Sequence, residues 1–569
     1  MRHLEFSSKR WLTLLTLVTA IGCGDGKQEA KLGADASAIA KQLRFIDMAA
    51  DNGVNHIYES GHTKDCLFPE IFGGGGALFD FDNDGDLDLY LVQGGSLGPE
   101  NRIGNRLLEN DGTGKFIDVS NGSGTEDSGY GMGVAAGDFD NDGLLDLYVT
   151  NVGPNTLLKN LGDGKFASVT QSAGVGDSQW GTSAAFINAN GDEFLDLYVC
   201  NYVAWSLERD LRCVRSDGVA DYCSPNSYNR PTNDILYINN GDGTFKDASL
   251  ETGIRSTRGN GLGIVPADFN NDGKMDIFVA NDMTENLMWI NKGDGKFENR
   301  AMLMGCAVDR DGKAKAGMGT CIADLNFDGL PDLAVVNLDG QSDSFFENQG
   351  GYFNDKTAKR GLAFESRPYT RFGVGIHDFD NDGNLDMFLA NGRVVFQDKP
   401  VQGDAFAQEN LIMLGTVDGK FERVWSQDCG DVSAVATSRA AIFGDINNDG
   451  AIDIVVINKD SPAQVLVNNN KDNHWIGFDL RHQTGAIANG AKVKLIIDGK
   501  THYRFVNPHY SYLASNDHRV QFGLKDQAKV AQVVVTWPSG IQEAYGPFES
   551  NQYRTLEEGH GAPMTQPTE

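Results

Sequence analysis

The sequence predicts an all-β chain: a seven-bladed β-propeller closed by an N-terminal strand, followed by a small β-sandwich domain. Three observations predict it. An aspartate-rich stretch recurs seven times. Each copy runs into a short apolar strand bounded by turn signals. The last repeat lacks a fourth strand, and the N-terminus carries a spare one. Self-similarity at a fixed period marks a repeat architecture, and four strands per unit arranged in a ring make a propeller.

The chain opens with MRHLEFSSKRWLTLLTLVTAIGCGDG. Arg2, Lys9 and Arg10 precede an apolar run, Trp11 to Gly22, that is too short to span a bilayer but suits a signal peptide over residues 1–22. Ala-Ile-Gly-Cys resembles a bacterial lipobox, which makes Cys23 the lipidation candidate and residues 23–44 a polar tether. Gly24 follows where an inner-membrane retention Asp would stand. The resemblance therefore implies an exported lipoprotein of the outer membrane or cell surface, with the periplasm or secretion as alternatives.

The repeats occupy residues 45–470. The first is DFDNDGDLDLYLV, Asp80 to Val92. It returns as DFDNDGLLDLYVTN from Asp138, NANGDEFLDLYVCN from Asn188, DFNNDGKMDIFVAN from Asp268, DLNFDGLPDLAVVN from Asp324, DFDNDGNLDMFLAN from Asp378 and DINNDGAIDIVVIN from Asp445. Carboxylates this close repel one another, and a hard cation such as Ca²⁺, which takes about six to eight oxygens, offsets the repulsion. Positions 1, 3, 5 and 9 carry side-chain oxygens, and the backbone carbonyl of position 7 adds another. Glycine at position 6, in every copy but the third, permits a sharp turn. The candidate ligands are Asp80, Asp82, Asp84, Asp86 and Asp88 in the first loop, and Asp138, Asp140, Asp142, Leu144 and Asp146 in the second. The third and fourth offer Asn188, Asn190, Asp192, Phe194 and Asp196, then Asp268, Asn270, Asp272, Lys274 and Asp276. The fifth, sixth and seventh offer Asp324, Asn326, Asp328, Leu330 and Asp332; Asp378, Asp380, Asp382, Asn384 and Asp386; and Asp445, Asn447, Asp449, Ala451 and Asp453. An EF-hand requires Glu at position 12, where the first two copies have Leu91 and Val149, so the unit is strand–loop–strand. The third loop, with Glu193 in the glycine position, is the weakest.

A small-residue strand precedes each loop, as in GGGGALF and GMGVAAG, and suits a crowded inner wall. A third strand, a Gly-rich turn such as LLENDGTGKF, and a fourth strand opening on Phe follow. The seventh unit has no such Phe strand. FIDMAADNG from Phe45 matches FIDVSNGSG from Phe116, with Gly53 and Gly124 each eight residues after the Phe. The N-terminal strand is therefore expected to close the ring and leave no open edge. Acidic loops and Gly-rich hairpins fall on one face. The other face takes the largest insertion, Tyr202 to Asp234, and Trp180, Tyr202, Trp205, Tyr222, Tyr228, Tyr369 and Phe396, where ligand binding is expected.

The net charge of −31 argues against nucleic acid. Seven Ca²⁺ ions would still leave about −17. The cysteines suit an oxidising compartment. The candidate disulfides are Cys213 with Cys223 inside one insertion, Cys306 with Cys321 at one blade junction, and Cys66 with Cys429 before the first strands of neighbouring blades. Cys200, in a strand, reads as a buried thiol. Residues 471–558 alternate as strands, HWIGFDLR, AKVKLIID and AQVVVTW among them, and 559–569 read as a loose tail. Five histidines there, His474, His482, His502, His509 and His518, lack ligand spacing and read as scattered surface residues.

GALFDFDNDGDLDLYLV and its copies resemble FG-GAP or VCBS repeats, and GAKVKL, SYLASNDHRVQFGL and VVVTWPSG resemble the ASPIC/UnbV domain. The pairing resembles the cartilage-acidic-protein-like family of secreted bacterial proteins. The usual Asn-Arg-x-Gly-Ile-Gly-Ala opening of that domain is eroded to TGAIANGA, Thr484 to Ala491. The resemblance implies calcium binding and extracellular interaction. The reading is a monomeric calcium-binding propeller that holds a glycan or extracellular protein on the face opposite its acidic loops. The alternative is a polysaccharide lyase or hydrolase drawing on His62, Tyr130, Arg258, Arg367, Tyr369 and Arg371. No spacing among these marks an acid–base pair, and no phosphate loop, nucleophile elbow or His-Glu-x-x-His site occurs.

Overall fold

A computed structural model describes residues 44–564 except 99, 101, 294, 398, 426 and 427. The expected signal peptide, Cys23 and almost all of the expected tether lie outside the described residues. Among the described residues no helix is long and apolar enough to cross a membrane.

The chain is a β-propeller. Among the described residues, seven antiparallel sheets each hold four propeller strands. Their inner strands are Gly76–Phe79, Gly131–Gly137, Gly181–Ile187, Gly261–Ala267, Thr320–Ala323, Arg371–His377 and Ser438–Gly444. These neighbour one another in that order, and the seventh returns to the first. The N-terminal strand Phe45–Asp47 pairs with Gln464–Asn468 as the outermost strand of the seventh sheet, as its sequence match to FIDV requires. The FID-type glycine explains the spacing. Gly53 stands at φ +82°, and a Cβ there would lie 2.3 Å from the Phe116 carbonyl oxygen of the next sheet. The same contact runs from Gly124 to Phe166, Gly361 to Phe421 and Gly430 to Phe45, so it passes through the closing strand. Apolar cores fill the spaces between sheets, such as Phe139, Tyr148, Phe186, Val199 and Phe245 between the second and third.

The C-terminal region packs two sheets around Ile476, Phe478, Val493, Leu495, Phe522 and Trp537. One sheet runs Val520–Lys525, His474–Arg481, Tyr553–Glu557; the other runs Lys500–Phe505, Lys492–Ile497, Val533–Thr536, Gln542–Tyr545, Ala562–Pro563. The last of these strands differs from the loose tail expected from residue 559. Ala562 pairs with Ala544, which ties the chain down as far as Met564.

A finger, residues 507–518, leaves this domain and fills the propeller channel. It bonds to the inner strand of every sheet. Ala514–Ser515 pairs in parallel with Gly76–Ala77. Ser515 Oγ accepts from the Ala136 amide at 3.4 Å, and His509 Nε2 from that of Phe186 at 3.2 Å. Asn507 donates to the Pro266 carbonyl at 2.9 Å. Ser511 exchanges backbone bonds with Thr320, its hydroxyl oxygen accepts from the Val374 amide at 3.1 Å, and the hydroxyl donates to the Ala441 carbonyl at 2.7 Å.

The far end of the channel is sealed as well. Phe68, Phe72, Tyr130, Trp180, Tyr202, Tyr222, Tyr228 and Phe372 form one buried cluster with Tyr512 and Leu513 of the fingertip. Trp180, Tyr202, Tyr222 and Tyr228, expected on a binding surface, are therefore the core of a cap. They bury because the insertion and the Phe68–Ile71 turn close over the fingertip.

The Cys213–Cys223 disulfide is present. The other two expected pairs are not: Cys66, Cys306, Cys321 and Cys429 are not disulfide-bonded. Cys306 packs on one side of the fifth sheet with Leu333 and Val335, and Cys321 on the other with Ala334 and Val336, so the sheet separates the sulfurs. Cys66 lies against the cap cluster and Cys429 in the core of the sixth and seventh sheets. Cys200 is buried.

Candidate metal centres

The seven acidic loops share one internal wiring, and six share it fully. The position 1 carboxylate accepts from the amides of positions 5 and 6: Asp80 Oδ1 from Asp84 at 3.2 Å and Oδ2 from Gly85 at 3.0 Å. Asp138, Asp268, Asp324, Asp378 and Asp445 repeat this. In all seven loops the position 5 carboxylate accepts from the amide of position 7, namely Asp86, Leu144, Phe194, Lys274, Leu330, Asn384 and Ala451. Position 6 glycine stands at positive φ, 94° at Gly85. Position 4 is also left-handed, 60° at Asn83, which sequence reasoning missed although Asn there was a legible signal. In the fifth loop that position is Phe327, whose ring meets His502 of the C-terminal domain at 4.9 Å.

Position 9 is a latch. Asp88 Oδ2 accepts from the Phe81 amide at 3.1 Å and Oδ1 from the Asn110 amide at 2.8 Å. Asp146, Asp196, Asp276, Asp332, Asp386 and Asp453 do the same, with Gly415 in place of Asn in the sixth unit. The Asn side chain then reaches the preceding sheet. Asn160 Nδ2 donates to the Phe81 carbonyl at 2.7 Å, Asn239 to Phe139, Asn291 to Ala189, Asn348 to Phe269, Asn468 to Phe379 and Asn110 to Ile446. Each acidic loop, except the fifth, is thus stitched through its position 2 carbonyl to the next unit.

Carboxylate oxygens converge in three loops. Those of Asp80, Asp82 and Asp88, of Asp138, Asp140 and Asp146, and of Asp378, Asp380 and Asp386 lie within 4.8 Å of one another. These clusters could hold metal ions. Asp140 Oδ1 is buried with no hydrogen-bond partner, the kind of oxygen a cation would take. The Lys159 ammonium pairs with Asp140 Oδ2 and reaches Asp142 at 3.2 Å, so this loop already holds one positive charge. The loops with Asn at position 3 offer fewer carboxylates. The third loop departs most: Asn188 Nδ2 donates inward to the Asp192 carbonyl at 2.5 Å, a donor where a cation needs an acceptor. Burial pushes the Asp88, Asp146, Asp276 and Asp332 carboxyls up to about 8, and neighbouring carboxylates add to the rise. Clustering these groups is costly without a positive charge among them.

The C-terminal domain covers the sixth and seventh loops and touches the fifth. Asn473 donates to the Asp380 carbonyl at 2.8 Å, Tyr553 to Asp445 Oδ2 at 2.9 Å, and Arg519 to Asn448 Oδ1 at 2.7 Å. Lys492 reaches the Gly329 carbonyl at 3.3 Å. Asp378 and Asp445 are buried there, while Asp82 of the first loop is exposed. His502, His509 and His518 are buried too, not surface residues, because this interface and the channel enclose them.

The residues considered for catalysis do not converge. Arg371 is buried on Asp343 at 2.7 Å, Tyr130 donates to the Ser60 carbonyl at 2.9 Å, and Arg258 and Arg367 are exposed. Tyr369 donates to Glu409 at 2.5 Å. His62 Nδ1 lies 2.7 Å from the Tyr222 hydroxyl and 3.5 Å from Glu70 Oε2.

Repeated acidic loops on a propeller ring, with a β-sandwich seated on them, define a class of acidic-loop propeller. The FG-GAP-like repeat description matches residues 80–149, 138–199, 214–279, 268–335 and 324–389, and the ASPIC and UnbV description matches 481–563. The chain belongs to the FG-GAP-like repeat family and carries an ASPIC and UnbV domain. Cartilage acidic protein 1 of Xenopus tropicalis is 29% identical over 307 residues, 52% of this chain and 44% of that protein. The Homo sapiens protein is 28% identical over 304 residues, 52% of this chain and 43% of its own length. The matched stretch therefore spans less than half of these relatives. Among solved structures, YCF48 from Cyanidioschyzon merolae aligns at a TM-score of 0.39 and 10% identity, covering 71% of this chain and 95% of that one. A lectin of Agrocybe aegerita that recognises non-reducing terminal N-acetylglucosamine aligns at 0.37 and 15%, covering 68% and 87%.

Proposed function

We propose that this chain is an exported, calcium-binding interaction module that holds a glycan or extracellular protein on the face opposite its acidic loops. The observation that carries the reading is the C-terminal domain. It occupies part of the acidic-loop face and fills the channel with its finger, which favours the loop-built cap as the ligand-facing surface. Exposed apolar side chains on that cap, Val214, Val219, Val395 and Phe396, support it. The converging carboxylates support Ca²⁺ as the cation: they are hard oxygen donors, with no nitrogen or sulfur donor beside them. Lipid attachment at Cys23 and an outer-membrane address complete the proposal. The test is retention of the soluble chain, starting after Cys23, on a polysaccharide and glycan array with Ca²⁺ and with EGTA. Calcium-dependent retention without sugar release supports the module. Sugar release that is lost in His62→Ala supports the enzyme reading instead, for which the His62, Tyr222 and Glu70 contacts are the one favouring observation.

A further inference from the structure

The rim of the sixth sheet carries an arrangement that neither the acidic loops nor the channel uses. Trp425 follows the outer strand Phe421–Val424 and is 51% exposed. Trp180, Trp289, Trp475 and Trp537 are buried and Trp205 is partly so. An exposed indole ordinarily loses little by moving, but this one is braced. The Arg423 guanidinium lies 4.3 Å from its ring centroid and 5.5 Å from that of Tyr369. Arg423 Nη2 donates to Glu409 Oε1 at 2.5 Å, and the Tyr369 hydroxyl donates to the same oxygen at 2.5 Å. Glu409 Oε2 takes no bond from the described residues, and the side chain is 30% exposed. Arg423 Nε is buried without a partner. Tyr369 lies two residues before the inner strand Arg371–His377, and Glu409 lies in the connection between the second and third strands. Both therefore sit on the face opposite the acidic loops.

A flat, electron-rich ring held in place beside an open carboxylate oxygen matches one ligand chemistry well. A pyranose presents a face of polarised C–H bonds that stacks on an indole, and hydroxyls at its edge that donate to a carboxylate. The Arg423, Glu409 and Tyr369 brace fixes the ring before the ligand arrives, which lowers the ordering cost of binding. The open Glu409 oxygen is itself anionic and disfavours an acidic ligand at this site. We propose that Trp425, Glu409, Tyr369 and Arg423 form a binding site for a neutral saccharide residue, a proposal that rests on the opposite-face reading above and names its ligand class.

The experiment uses the full soluble chain in Ca²⁺ and titrates it with cellohexaose, maltohexaose, mannohexaose and chitohexaose, with polygalacturonate as the acidic control. Indole fluorescence reports binding, and the same chains are run on the glycan array. The expected result is saturable quenching by at least one neutral oligosaccharide, weakened about tenfold or more in Trp425→Ala and in Glu409→Gln, with array retention lost in parallel. Trp425→Ala should melt within about 2 °C of the parent, since Trp425 is exposed, and Glu409→Gln should stay folded because Gln keeps an acceptor for Arg423 and Tyr369. Retention unchanged in both variants overturns the site while leaving the opposite-face reading intact. A response to polygalacturonate alone overturns the neutral-saccharide assignment. Retention of no saccharide overturns the site, and the opposite-face reading then stands or falls on whether an envelope protein is captured and released by cap substitutions such as Val214→Asp.

Discussion

At the residue scale, single positions carry constraints that composition hides. Gly53 combines a positive φ with a close carbonyl, so Gly53→Ala strains the backbone and the ring closure together. We expect a loss of about 1–3 kcal/mol in urea unfolding; an unchanged midpoint would show that the closing strand is not held there. His509 makes a different point. Burial in the channel pushes its imidazole down to about 3, and protonating Nε2 would turn the acceptor of the Phe186 amide into a second donor. The neutral ring belongs to the folded state, and the unfolded chain binds the proton first. Its contribution is therefore full above pH about 6.5 and is lost as pH falls from there toward the folded value, at up to about 1.4 kcal/mol per unit. His509→Gln keeps an acceptor and does not titrate, and the acidic loops titrate alike in both chains. The difference in unfolding free energy between them should thus shrink from pH 7 to pH 5; a constant difference would refute the assignment. The Gly53 signal was legible, because FID and its glycine repeat in the sequence. His509 was not, because nothing in a run of separated histidines tells which will enter a channel.

At the element scale, the acidic loop is the unit, and its sequence disclosed more than one layer. Positions 1, 3, 5 and 9 announced oxygen donors, and glycine at position 6 announced a turn. The second duty of position 9, fastening the following hairpin, was hidden because a carboxylate that binds amides and one that binds a cation look the same in sequence. The Asn of LLEN, LLKN and LYIN was read as hairpin chemistry, yet its side chain crosses to the sheet before it. Asn160→Ala removes the bond to Phe81 and leaves a buried carbonyl unpaired, which should cost about 1–3 kcal/mol in thermal or urea unfolding. It should also weaken cation binding at the first loop, the one it fastens. The loops should not bind equally. Calorimetric titration should show a lower Ca²⁺ stoichiometry for Asp380→Asn, while Asp192→Asn in the third loop leaves the stoichiometry where it was. Equal losses would mean that the inward Asn188 amide does not disable that loop.

At the scale of the whole molecule, the buried like charges are expected to make stability conditional on a bound cation. Each site saturated at a hundredfold excess over its dissociation constant adds about 2.7 kcal/mol. EGTA should therefore lower the melting temperature sharply, and a melt indifferent to EGTA would remove the calcium reading. The ring, its repeat count and its closing strand could be read from period and pattern. The seating of the sandwich could not, because SYLASND reads as an ordinary loop when its partners are backbone groups scattered over the inner strands of all the sheets. That seating bears on how the protein is made. Phe45–Asp47 and Gln464–Asn468, which clasp the ring, both precede residues 507–518, so on a chain emerging N-terminus first the circle can form before its cork exists. The cork begins and ends on strands of one domain, Lys500–Phe505 and Val520–Lys525, so it can be pushed home end-on without unclasping anything. A translation product arrested before residue 507 should accordingly be able to close its ring while the inner-strand groups that the finger would bond stay unpaired.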